Sequence, residues 1–105
     1  MRKILASLCA VAVAAAVAVP ALAAGPTVRV DDNFFKAKTV RIKKNTTVKW
    51  TWVGGRPHNV VFKGFKSKLQ ETGTYRHTFR KAGTYRYVCT LHVDQGMKGT
   101  VVVSR

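Results

Sequence analysis

Acidic side chains, histidine and cysteine are all scarce in this 105-residue sequence. Cys9 and Cys89 carry its only thiols, and Cys9 lies in an apolar N-terminal run. A small exported domain often staples itself with disulfides, but the one remaining cysteine cannot pair within its own chain. The sequence shows no amphipathic helix of any length, which removes the helical architectures. Internal repeats, linkers and low-complexity segments are missing as well, and no RNA- or DNA-binding motif appears.

The N-terminal run has the make-up of a secretory leader. Met1-Arg2-Lys3 is a basic start, Ile4–Val19 is apolar and rich in Ala and Val, and Ala21-Leu22-Ala23 is a small-residue cleavage signal. A transmembrane anchor is the rival reading, but the run breaks at Pro20 and ends in small residues. Residues 1–23 are therefore expected to be a cleaved signal peptide, and residues 24–105 one domain, exported to the periplasm or beyond the cell. Cys9 sits early in the apolar run, has no lipid-attachment context, and leaves with the leader. Of 19 Lys and Arg residues, Arg2 and Lys3 leave with it too. That sets 17 basic residues against Asp31, Asp32, Glu71 and Asp94, a formal charge of +13. A surplus this large attracts anionic partners and speeds their encounter. The candidates are redox proteins with acidic docking surfaces, anionic lipid headgroups or cell-wall polymers. Nucleic acid is not expected for an exported chain.

What is present is β-pattern. Thr27–Asp31 and Thr39–Lys43 alternate apolar and polar residues, as half-buried strands do. Thr46–Val53 is the clearest strand, with Val48, Trp50 and Trp52 on one face and Thr47, Lys49 and Thr51 on the other. Its tryptophans are expected to anchor the core. Asp31-Asp32-Asn33 and Lys44-Asn45 are turn chemistry. Gly54-Gly55-Arg56-Pro57 is a loop delivering His58, after which Asn59–Phe62 resumes strand character. Lys63–Thr72 is the least patterned segment, with room for a short helical turn. Thr74–Phe79 places Tyr75, His77 and Phe79 on one face. Thr84–Cys89 and Gly99–Ser104 close the chain. The pattern predicts an all-β Greek-key sandwich of seven or eight short strands.

Chemistry concentrates between the last two strands. Cys89, His92 and Met97 follow C-x2-H-x4-M, and His58 lies 31 residues upstream of Cys89 on another strand. A thiolate, an imidazole and a thioether on one loop are ligands that suit copper in both oxidation states. With a second imidazole they make the trigonal blue-copper electron-transfer set, Met97 being the long axial ligand. Reading all four as packing residues would require four coincidences of type and spacing. His77 stands alone among basic residues and is expected to be structural. Three histidines in the mature chain are too few for the extra metal centres of a copper oxidase or nitrite reductase.

The sequence resembles the cupredoxins, and among them the plastocyanin and amicyanin-like type 1 copper proteins. The likeness is carried by Pro57-His58-Asn59-Val60 and by Gly83, Tyr85, Cys89, His92, Gly96, Met97, Gly99 and Val101. It implies one copper per chain, cycling between Cu(I) and Cu(II), on a monomer that carries electrons and is not an enzyme. It also implies that Asn59 ties the His58 strand to the Cys89 loop, and that electrons pass at the edge of His92. Gly96 and Gly99 stand where a tight loop needs positive φ or close backbone approach. Leu91 departs from the family's usual Pro before the second His. Val88 departs from the exposed Tyr that plant plastocyanins carry before the Cys. A copper-holding module without a carrier role remains the alternative, and an anion-binding domain with secondary copper a third. The N-terminus of the protein recovered from outside the cytoplasm is expected to begin at Ala24. An exported chain still starting at Met1 would instead favour an anchor.

Overall fold

The computed structural model describes residues 23–105. The proposed leader lies outside the described residues except for Ala23, which opens the first strand. Eight strands follow in order: β1 Ala23–Asp31, β2 Phe34–Lys36, β3 Thr39–Lys43, β4 Thr46–Trp52, β5 Val61–Phe62, β6 Thr74–Phe79, β7 Gly83–Val88 and β8 Lys98–Ser104. They form two four-stranded sheets, β2-β1-β4-β6 and β3-β8-β7-β5. The predicted Greek-key sandwich is the architecture found. Both sheets are mixed. β1 runs parallel to β4, with Val28 beside Trp50 and Val30 beside Trp52, and β3 runs parallel to β8.

Alternation explains which face each strand buries. Along β4 the side chains of Val48, Trp50 and Trp52 are buried, and Thr47, Lys49 and Thr51 are only partly so. Side chains in a strand point to opposite faces in turn, so one apolar stripe per strand suffices to build a layer. Trp50 is fully buried at the centre and meets Tyr87, Phe62 and Phe79 at ring-centroid distances of 5.5, 5.7 and 6.5 Å. Phe35 meets Tyr87 edge-on across the sandwich at 4.7 Å. Such edge-to-face contacts add to the area that the rings bury.

Lys63–Thr72 contains no helical turn. It folds back as bends and isolated bridges that pair His58 with Gln70 and Val61 with Lys66. The backbone of His58 exchanges two hydrogen bonds with Gln70, at 3.0 and 3.1 Å, and these hold the segment in an extended form that a helix would break. The helical turn in the described residues is a 3₁₀ turn at Val93–Gln95, inside the loop between β7 and β8. His77 is structural, as expected. It packs on the inner side of β6, stacked 3.8 Å from the Phe65 ring, and burial pushes its pKa below the ordinary value.

Gly99 sits opposite Tyr87 in the β7–β8 ladder, and a Cβ there would clash with the hydroxyl end of the Tyr87 ring, at Cζ and Oη. Gly96 serves differently, ending the 3₁₀ turn at φ 84° in the left-handed region. Gly99→Ala is expected to destabilise the domain by about 1–3 kcal/mol through overpacking. Urea unfolding measures this, and an unchanged midpoint would mean that the buried Tyr87 ring can swing aside.

Candidate metal centre

Sheet geometry brings three loops to one end of the sandwich. Because β1 and β4 are parallel, the loops that follow them leave from the same edge. Asp31-Asp32-Asn33 therefore meets Gly54–Pro57 and the start of the His58 segment. The Val53 N–H donates to the Val30 carbonyl at 3.0 Å and holds the two exits together. The loop from Cys89 to Met97 arrives from the other sheet. Its base is closed by Cys89 N–H to Met97 O at 3.0 Å and by Met97 N–H to His92 O at 3.2 Å.

His58, Cys89 and His92 converge there. Their facing atoms form a triangle: His58 Nδ1 to His92 Nδ1 is 3.2 Å, Cys89 Sγ to His92 Nδ1 is 3.6 Å, and Cys89 Sγ to His58 Nδ1 is 3.7 Å. The centre of such a triangle lies about 2 Å from each donor, close to the bond lengths at which imidazole and thiolate hold a first-row metal ion. His58 and Cys89 are wholly buried, while His92 is partly exposed. The residues present thus fit copper. Met97 is also fully buried and closes the same loop through its backbone.

The family description for copper binding proteins, plastocyanin/azurin family, matches residues 26–104. The chain belongs to this cupredoxin family. Its relatives include an amicyanin-alpha of Methylorubrum extorquens, 39% identical over 103 residues that span 90% of this chain and 85% of the relative. A halocyanin of Natronomonas pharaonis is 40% identical over 77 residues, 66% of this chain but only 47% of the halocyanin, so the chain spans about half of that relative. Among solved structures, a purple cupredoxin from Nitrosopumilus maritimus superposes with a TM-score of 0.68 at 26% identity, covering 76% of this chain and all of that one. Copper is therefore the cofactor of this cupredoxin, and the one donor group of this kind among the described residues fits one ion per chain.

Asn59 ties the His58 segment to the Cys89 loop as the resemblance implied: its Nδ2 donates to Thr90 Oγ1 at 2.9 Å, and its Oδ1 accepts from the Thr90 N–H at 2.8 Å. Two supports were not legible in the sequence. Trp52 is more than a core anchor, because its Nε1–H donates to the His58 carbonyl at 3.0 Å. Asp32, read as turn chemistry, places Oδ1 3.0 Å from His58 Nε2. Hydrogen bonds from the Gly55 N–H and from His58, with a smaller one from the Arg56 N–H, hold its carboxyl down to about 2. Asp32 and His58 are 26 residues apart, and no local spacing links them. The one signal was an acidic side chain, rare in this composition, in a loop.

Leu91 is half exposed beside His92, and Val88 ends β7 partly buried. Asn59→Ala removes both bonds to Thr90 and is expected to lower the stability of the copper-free domain by about 1–2 kcal/mol. Thr90→Ala keeps the N–H bond to Asn59 and should cost less. Equal losses in thermal or urea unfolding would show that the hydroxyl, not the amide pair, carries the clamp.

Proposed function

We propose that this cupredoxin is an exported, monomeric electron carrier and not an enzyme, with copper held by His58, Cys89 and His92 and by Met97 as a long axial ligand. The observation that carries this reading is the donor triangle itself, one sulfur and two imidazole nitrogens at 3.2–3.7 Å. Bound there, copper would supply a one-electron Cu(I)/Cu(II) couple. The chain's part is to fix the donors so that little has to move when the electron does. His58 and Cys89 have no exposed surface, and the backbone bonds at Cys89 and Met97 brace the loop. The surface cleft lined by Phe62, Lys63, Thr84, Tyr85 and Arg86 shares no residue with the donors.

His92 is the partly exposed member of the group, and half-exposed Leu91 precedes it. That edge is the reading's route for the electron. The formal charge of +13 left after removal of the leader favours redox partners with acidic docking surfaces. An anionic membrane or cell-wall surface would be drawn by the same charge. Exchange rates with an acidic partner should fall steeply as salt screens these charges.

The test is the visible spectrum of the protein without residues 1–23, titrated with Cu(II) and then reduced with ascorbate. A strong thiolate-to-copper band should saturate at one copper per chain, bleach on reduction and return on reoxidation. Cys89→Ala should abolish the band. Met97→Leu should keep the copper and raise the potential, because a weak axial donor to Cu(II) is lost; an unchanged spectrum and potential would remove Met97 from the ligand set. Rapid loss of copper to a chelator, with sluggish electron exchange, would point instead to a copper-handling module.

A further inference from the structure

Asp32 is one of four acidic residues in a strongly basic chain. Among the described residues, the basic side chain within 4 Å of it is His58, not a lysine or arginine. Its orientation is fixed by three donors. Oδ1 faces His58 Nε2 at 3.0 Å and accepts from the Arg56 N–H at 3.1 Å, while Oδ2 accepts from the Gly55 N–H at 3.0 Å. His58 has no exposed surface, so water does not compete for that ring nitrogen. An ionised carboxylate has no hydrogen to give, so His58 Nε2 must carry it. The other nitrogen, Nδ1, is the one that faces Cys89 and His92.

We propose that Asp32 is a positioning residue of the copper centre, with two separable effects. Its carboxylate locks His58 in the Nε2–H tautomer before any metal arrives, leaving the Nδ1 lone pair aimed into the donor triangle. Its negative charge also makes the imidazole a stronger donor and favours the more highly charged Cu(II), which lowers the reduction potential. The inference rests on the reading of His58 as a copper ligand through Nδ1. Partners of this kind on a ligating histidine fix the ring and raise its basicity. A neutral acceptor at the same point would supply the first effect without the second.

That difference sets the experiment. Asp32→Asn keeps an Oδ1 that accepts from Nε2–H and removes the charge. The blue band and the His58 tautomer should survive, while the ratio of Cu(II) to Cu(I) affinity falls by roughly threefold to a hundredfold, the span that an effective dielectric between that of water and about 20 gives for one charge across an imidazole ring. Tenfold is a rise of about 59 mV for a one-electron couple. Asp32→Ala removes the acceptor. In the metal-free protein, nitrogen NMR of the His58 ring should then report a mixture of tautomers, and Cu(II) affinity should drop by about 10–100-fold.

An unchanged potential in Asp32→Asn, or an undisturbed Nε2–H tautomer in Asp32→Ala, would overturn the proposal. If Asp32→Ala does not fold, the potential of Asp32→Asn still decides it. Failure of the ligand reading has a different signature, the lack of a blue band in the protein with Asp32 in place. The tautomer measurement on metal-free protein does not depend on that band.

Discussion

Two imidazole nitrogens and a cysteine sulfur lie within 3.7 Å of one another at the end of this sandwich, and two of the three residues have no exposed surface. Lone pairs held this close and away from water repel one another and lose their hydration. A stiff framework imposes the arrangement, and a proton shared between two donors or a bound cation relieves it. Much of the molecule serves that framework. The Trp50 cluster joins the two sheets, the Asn59–Thr90 pair joins the two loops, and the Cys89–Met97 and Met97–His92 backbone bonds set the loop's width. Metal binding and folding are coupled in such a site, since the donors meet only when the chain is folded.

The histidines divide the work by their exposure. His58 is enclosed and held from three sides: by the Gln70 backbone, by Trp52 at its carbonyl and by Asp32 at its outer ring nitrogen. His92 lies on a short loop with a 3₁₀ turn and is partly open. On the proposed reading, His58 is a rigid inner ligand and His92 an outer one near the surface, a pairing that suits a centre keeping its geometry while it passes charge. His77 takes no part, because its ring is used as an aromatic packing surface against Phe65.

Charge in this protein is distributed on two scales. At long range, lysine and arginine far outnumber aspartate and glutamate, a surplus that on the proposed reading draws negative partners. At short range, a scarce carboxylate is placed where it touches the inner histidine. The first acts on encounter and is screened by salt; the second acts on the metal's immediate electronic surroundings and is screened much less. The two are therefore separable by experiment.

Strand alternation, turn residues and the C-x2-H-x4-M spacing were written locally, so the sequence by itself determined the β-class, the buried face of β4 and the residues suited to copper. The packing role of His77 was legible for the same reason, as an isolated residue on an inward-facing position. The tertiary structure alone decided what depends on register between distant segments. The parallel alignment of β1 with β4 carries Asp32 to His58, and the backward pairing of Gln70 with His58 keeps Lys63–Thr72 from turning helical. The physical reason is that alternation and spacing act over a few residues along one chain segment. A hydrogen bond across 26 residues exists only once two loops leave the same edge of a sheet, and nothing in either loop's own sequence specifies its neighbour.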